Sequence, residues 1–156
     1  MRDAGAYHTD MRYPKTFLAV FAILAFHVAA PATQETTAPT KPVGTMSDLM
    51  VKMIYPTSDA IFYIETRTPK TDAEWGELQA KTLTLAESAN LLMMPGRARD
   101  QERWIADAKL MLDAGTAAYT AAKKKDVAAL VELNDAVYQS CVVCHQHYRR
   151  NYGRRP

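Results

Sequence analysis

The sequence predicts an all-α protein, built as an antiparallel four-helix bundle with up-down-up-down connections. Four segments repeat apolar or small residues at alternating steps of three and four, which is the spacing of helices that pack along one seam. Short breaks separate these segments, and no stretch shows the alternating pattern of a β-strand. Four helices with short connections favour antiparallel neighbours that cross at about 20°.

The first predicted helix has its apolar seam at residues 46–64 and contains a proline. Pro56 has no N–H to donate to the carbonyl of Lys52, and it should therefore kink the helix. We expect one bent helix whose N-terminal half leans over a cofactor, with two shorter helices as the alternative. The helix is expected to end at Thr68 and Pro69.

Capping and breaking residues mark the other three helices. Thr71 and Glu74 have the spacing of a capping box, which opens the second helix. Pro95 and Gly96 separate the second helix from the third, and Asp126 is the expected N-cap of the fourth. The apolar seams of these three helices run over residues 75–92, 104–122 and 127–148.

The N-terminal part of the chain has the organisation of a secretory signal. A short basic stretch at residues 11–15 precedes an apolar run at 16–30, and Ala30 to Ala32 supply small residues for cleavage. The run is about 15 residues long, shorter than the ~20 that a membrane-spanning helix needs. We therefore expect a signal peptide at residues 1–32, a periplasmic protein and no stable membrane span after signal removal, with an uncleaved anchor as the alternative.

The rest of the chain is expected to form one soluble domain. Residues 33–44 are rich in Thr and Pro and predict a flexible leader, followed by the helical domain at 45–152 and a tail at 153–156. Of the 156 residues, 48% are hydrophobic and 23% charged, which is sufficient for a single core. The formal net charge of +2 gives no indication of a nucleic acid partner.

Both cysteines of the chain lie in one pentapeptide, residues 141–145, with the pattern C-x-x-C-H. In this pattern each thiol forms a thioether with a haem vinyl group, and the adjacent imidazole binds the iron. Cys141 and His145 are four residues apart on the fourth helix and share a face. The sequence predicts one haem c attached through Cys141 and Cys144, with His145 as the proximal ligand, wedged between helices near the C-terminal helix.

Three other interpretations of the pentapeptide remain open. A thiol-disulfide oxidoreductase also uses C-x-x-C, although that motif normally lies near the start of a βαβ unit. A zinc site needs four ligands, and Cys141, Cys144, His145 and His147 would have to supply them from seven residues of one helix. Chance is the third interpretation. His147 is two residues from His145 and is expected to face solvent.

The distal side of the predicted haem faces the first helix, which carries three methionines on one stripe, Met46, Met50 and Met53. A thioether is a soft ligand suited to haem iron, and Met50 is the central candidate. The alternative is that all three methionines fill the core, which leaves the iron five-coordinate.

The segment 141–149 has the pattern C-x-x-C-H-x-x-Y-R and resembles the class II c-type cytochromes, the cytochrome c′ family. The resemblance covers residues 45–152, is specific at the C-terminal motif and is otherwise one of architecture. It implies thioether bonds at Cys141 and Cys144 and proximal ligation by His145. It also implies either an empty distal site that binds gases such as NO and CO, or a distal methionine in a low-spin electron carrier. Many members are homodimers formed through the first two helices.

The function expected from these observations is electron transfer without enzymatic activity. The carrier would exchange electrons with redox partner proteins that the sequence does not identify. The first alternative is a five-coordinate protein that binds NO or CO, and the second is a thiol-disulfide oxidoreductase that uses Cys141 and Cys144.

Overall fold

A computed structural model describes residues 40–153 of the chain, and these residues form an all-α fold with four helices and no strand. The all-α prediction is therefore confirmed for this range. The expected signal peptide at residues 1–32, the leader up to residue 39 and residues 154–156 of the tail lie outside the described residues.

The first helix, α1, is continuous and has three parts: an α-helical turn at Met46–Leu49, a π-helical turn at Met50–Ile54 and an α-helix at Tyr55–Phe62. Thr45 caps it, because its hydroxyl accepts the N–H of Asp48 at 3.1 Å. The helix is not divided at the proline into two shorter ones. Instead, its backbone hydrogen bonds change to the π-helical pattern over the five residues Met50–Ile54.

The predicted end of α1 at Thr68 is wrong, because the helix ends at Phe62. Tyr63 leaves the helical conformation with φ −108° and ψ 21°. The hydroxyl of Thr66 donates to the carbonyl of Tyr63, and that of Thr68 to the carbonyl of Ile64 at 2.8 Å. The carbonyl of Tyr63 also accepts the N–H of Arg67 at 2.8 Å, whereas the Thr68 hydroxyl serves the Ile64 carbonyl, which another helical turn would have used.

The other helices are α2 at Asp72–Met93, α3 at Arg103–Lys123 and α4 at Val127–Tyr148. The capping box before α2 is confirmed: the N–H of Glu74 donates to the Thr71 hydroxyl, and the Glu74 carboxylate accepts the Thr71 N–H at 2.9 Å. The N-cap of α4 is confirmed as well, since Asp126 accepts the N–H of Ala129 at 3.0 Å.

Each helix packs against the next along the chain, and α1 also packs against α4. The apolar seams meet in one core in which large side chains from three helices are fully buried. These side chains are Ile61, Leu85, Leu130 and Val137. Burial of such side chains is the main stabilising term of the fold.

One helix in the described part of the chain, α4, has a length and composition that would allow it to cross a membrane. Apolar helices of water-soluble proteins meet the same criteria, so this finding assigns no membrane span. Only 17% of the most apolar window of α4 is buried. Much of the apolar surface of this helix is therefore only partly covered by the other described residues.

A glycine sets the closest approach of α2 and α3. A Cβ added to Gly115 would lie 2.9 Å from the backbone N and Cα of Ala86, a distance that real Cβ atoms do not adopt. The helices pack at this separation because Gly115 has no side chain.

We expect Gly115→Ala to lower the free energy of unfolding by about 1–3 kcal/mol, because two packed backbones must move apart. The control is Gly76→Ala in α2, where an added Cβ meets nothing within 4 Å. This control should be stabilising by about 0.5–1 kcal/mol, since alanine loses less backbone entropy in a helix. Urea unfolding of both variants measures the difference, and equal stability of the two would contradict the close approach.

Candidate functional site

The C-terminal half of α4 brings the three predicted attachment residues to one place. Cys141, Cys144 and His145 all line a small cavity enclosed by the four helices. Their spacing of three and four residues puts them on one face of α4, as the helical period requires. All three side chains are half-buried, so they are neither locked in the core nor fully in water.

Met50 lines the same cavity from α1. Met53 lines a separate groove together with residues 41–44 and the end of α2. Met46 is half-buried against the core. The structure thus distinguishes the three methionines of the predicted stripe, and Met50 is the one that shares a cavity with His145.

The remaining wall of the cavity is largely apolar. Its apolar side chains come from α1, α2 and α3: Ile54, Leu92, Ala108 and Met111. Asp107 of α3 and Ser140 of α4 add two polar groups. The cavity has a volume of about 40 Å³, which is room for about three water molecules. This volume is far too small for a group the size of a porphyrin, so the helices that line the cavity would have to move apart to admit one.

The two cysteines are free thiols whose acidity is suppressed. Burial raises the pKa of Cys141. Burial and the nearby carboxylate of Asp107 raise the pKa of Cys144 to about 11. The cysteines of thiol-disulfide oxidoreductases have a lowered pKa, because the thiolate is the nucleophile. The environment of Cys141 and Cys144 has the opposite effect and favours the protonated form.

The surroundings of His145 favour its neutral form. Burial and the positive charge of Arg149 lower the pKa of the His145 imidazole and so disfavour its protonated form. The ring of Tyr152 stands edge-on to the imidazole with the centroids 5.1 Å apart. A neutral imidazole is the form that binds iron.

A buried carboxylate is the feature that sequence reasoning missed. Asp107 is 4% exposed, lines the cavity, and its Oδ2 lies 2.7 Å from Nδ1 of His147. The expectation that His147 faces solvent is only partly right, since its side chain is 36% exposed and bonded to this carboxylate. The available signal was the position of Asp107 on the apolar seam, three residues after Trp104.

A second polar contact holds the end of α4. The hydroxyl of Tyr148 donates to Asp100, in the loop before α3, and burial together with this bond raises the Tyr148 pKa to about 12. The Tyr148 ring packs edge-on against Trp104 at 4.8 Å. The indole N–H of Trp104 donates to the carbonyl of Leu92 at 2.8 Å. These contacts connect α4 to both α2 and α3 beside the cavity.

The described residues contain no group of three or more His, Cys, Asp or Glu side chains arranged to hold a metal ion. The side chain of His147 turns to Asp107, whereas Cys141, Cys144 and His145 line the cavity. This separation disfavours the zinc interpretation, which needs all four side chains around one ion.

No protein-family model, no curated protein and no solved structure matches this chain.

We expect Cys144 of the folded chain to react slowly with iodoacetamide. A pKa of about 11 instead of 9.0 reduces the thiolate at neutral pH by roughly a hundredfold relative to an ordinary cysteine. Mass spectrometry of the chain made without haem, with its helicity checked by circular dichroism, measures the rate. Urea-unfolded chain is the control and should react at the ordinary rate; equal rates in the two states would contradict the structure.

We expect His147→Ala to destabilise the protein by about 1–3 kcal/mol, because the buried Asp107 carboxylate loses its hydrogen-bond partner. Gln146→Ala is the matched control, since Gln146 is an exposed neighbour at the same end of α4. Addition of Asp107→Asn to His147→Ala should recover part of the loss, because a neutral amide is less costly to bury unpaired than a charge. Denaturant unfolding measures all four proteins, and a control as damaging as His147→Ala would refute the pairing.

Proposed function

We propose that this chain is a periplasmic single-haem c-type cytochrome of the cytochrome c′ family that transfers electrons. One haem c is attached by thioethers to Cys141 and Cys144, with His145 as the proximal and Met50 as the distal ligand. The observation that carries the proposal is the convergence of these four side chains on one apolar cavity. The C-x-x-C-H pattern alone required three of them on one helix face, and Met50 comes from a different helix.

The proposed architecture is the antiparallel up-down-up-down bundle with the haem beside the C-terminal helix. The packing of each helix on the next, and of α1 on α4, supports it. The haem would occupy the space between α1 and α4, where the cavity already lies. The only partly covered apolar surface of α4 also supports this placement, because a porphyrin would bury it.

In such a site the residues would have different roles. The haem supplies reversible one-electron chemistry at its iron when bound. His145 presents a neutral imidazole nitrogen and Met50 a soft sulfur, a ligand pair typical of electron-carrying cytochromes c. The apolar side chains exclude water, and Asp107 contributes a buried negative charge to the wall. No covalent bond of a substrate is made or broken, so the proposed protein is not an enzyme.

The suppressed acidity of both thiols disfavours thiol-disulfide oxidoreductase activity. The expected export signal supports a periplasmic location, where bacterial haem attachment takes place. The proposed partners are redox proteins and, as in many members of the family, a second copy of the chain.

The test is expression of the chain with a bacterial haem-attachment system. We expect a pyridine haemochrome spectrum that corresponds to one haem bound through two thioethers, and its loss when both cysteines are replaced by Ser. His145→Ala should keep the covalent haem but lose the native ligation. Colourless protein from a host that matures other c-type cytochromes would refute the proposal.

Carbon monoxide distinguishes electron transfer from gas binding. The ferrous protein should be low-spin and bind CO slowly, whereas Met50→Ala should bind it at least about tenfold faster because the distal site is then always open. Met53→Ala is the matched control, since Met53 lies on the same helix but outside the cavity. Rapid CO binding by the unmodified protein would favour the five-coordinate, gas-binding alternative.

A further inference from the structure

A groove of about 570 Å³ lies where the C-terminal end of α4 meets the loop between α2 and α3. Its wall consists of Arg99 from this loop and of residues 146–152. We propose that this groove, called the arginine groove below, docks the acidic surface of a redox partner protein. The inference rests on the proposed function and identifies where, and by which chemistry, the partner binds.

The arginine groove carries positive charge that its own wall does not balance. Three guanidinium groups line it, those of Arg99, Arg149 and Arg150, and all three residues are exposed. Among the described residues no Asp or Glu lines the groove, and none of the three arginines takes part in a salt bridge. A concave surface lined by one sign of charge attracts groups of the opposite sign.

Two carboxylates beside the groove bond to other residues of its wall. Asp100 accepts the hydroxyl of Tyr148, and Asp107 is buried against His147. Both carboxylates are therefore engaged, and they leave the guanidinium groups of the arginine groove available to a partner.

A second groove of the same protein has the opposite character. It lies between the end of α1 and the start of α2, and Arg67 and Asp59 form a salt bridge of 2.7 Å in its wall. Charges of both signs are mixed there, as is usual for a solvated surface. The charged residues that line it are three cations and three carboxylates: Arg67, Lys70, Lys81, Asp59, Glu74 and Glu77.

Helix electrostatics accounts for only part of the arginine groove. Arg149 and Arg150 follow the C-terminus of α4, where the helix dipole favours cations. Arg99 belongs to the loop between α2 and α3, and this explanation does not apply to it. The packing of the loop beside α4 is what brings the third cation into the same groove.

The arginine groove also adjoins the proposed haem site. Tyr152 lines the groove, and its ring stands edge-on to the imidazole of His145 with the centroids 5.1 Å apart. The charge of Arg149 acts on the pKa of His145, and the charge of Arg99 acts on the pKa of Cys144. A partner seated in the groove would therefore lie close to the proposed proximal ligand.

The chemistry and shape of the groove fit carboxylate side chains on a protein. A guanidinium group binds a carboxylate through two parallel hydrogen bonds. Gln146 and Asn151 add side-chain amides that can donate to carboxylate oxygens. Protruding Asp and Glu side chains can enter a concave surface, whereas a membrane surface is flat on this scale. The occupant that fits is an acidic protein surface rather than an anionic membrane.

The experiment measures oxidation of the ferrous, haem-loaded protein by ferricyanide, a small anion that takes up one electron. At low ionic strength Arg99→Glu and Arg150→Glu should each slow this reaction by about fivefold, because an attractive charge becomes repulsive. Oxidation by the cationic tris(phenanthroline)cobalt(III) complex should become faster in the same variants. Lys81→Glu is the matched control, since it changes the net charge equally at an exposed residue of the charge-balanced groove.

Poly-L-glutamate serves as the model of an acidic partner surface. It should slow the ferricyanide reaction of the wild-type protein and of Lys81→Glu by occupying the arginine groove, and added salt should remove this effect. It should not slow the reaction of Arg99→Glu or Arg150→Glu further. Sedimentation with vesicles of phosphatidylglycerol, compared with vesicles of phosphatidylcholine, tests the membrane as the other partner.

A milder variant covers the case in which the charge-reversed proteins do not fold. Arg150→Gln removes the charge of an exposed side chain, so it should change both oxidation rates in the same directions by a smaller amount. Circular dichroism and the haem content identify folded, loaded protein.

The outcomes separate the two proposals. If Arg99→Glu and Arg150→Glu, or Arg150→Gln in their place, react like Lys81→Glu, the docking role is refuted and haem attachment stands. Poly-L-glutamate that leaves the wild-type rate unchanged also refutes an acidic protein partner, whether or not phosphatidylglycerol vesicles bind. Absence of covalent haem overturns the proposed function itself, and with it the role of the groove in electron transfer.

Discussion

The burial of one face of α4 against the other helices is the constraint on which the site depends. The helical period requires Cys141, Cys144 and His145 to share this face, and the apolar seam of α4 requires the face to point inward. These three residues therefore line a cavity rather than the protein surface. The same burial accounts for their electrostatics, because a low-dielectric setting favours neutral thiols and a neutral imidazole.

Two pairs of polar groups lie beside this face. Asp107 bonds to His147 across α3 and α4, and Tyr148 bonds to Asp100. A buried carboxylate without a partner would destabilise the fold. The bond between Asp107 and His147 avoids this cost and also favours one relative position of α3 and α4. In the proposed site, α4 would supply the two thioether bonds, α3 supplies the carboxylate of Asp107, and α1 supplies the thioether side chain of Met50.

Much of the fold could be predicted from local chemistry. The capping box of Thr71 and Glu74, the N-cap Asp126 and the break at Pro95 and Gly96 are decided by residues within a few positions of each other, and the structure confirms them. The end of α1 could not be predicted in this way. Threonine hydroxyls that bond to carbonyls three or four residues earlier compete with one more helical turn. Which of the two forms depends on the surrounding packing.

The sequence by itself determined that the chain is helical, where most of its helices begin, and that two thiols and an imidazole lie on one helix face, because these properties follow from the helical period and from contacts near in sequence. Pro56 also predicted an irregular first helix. Only the tertiary structure decided that the irregularity is a π-helical turn, that Met50 rather than Met46 or Met53 lines the cavity with His145, and that Asp107 is buried beside them. The last two outcomes join residues about 40 to 95 positions apart, and such pairings depend on how the helices rotate and pack against one another rather than on any local pattern.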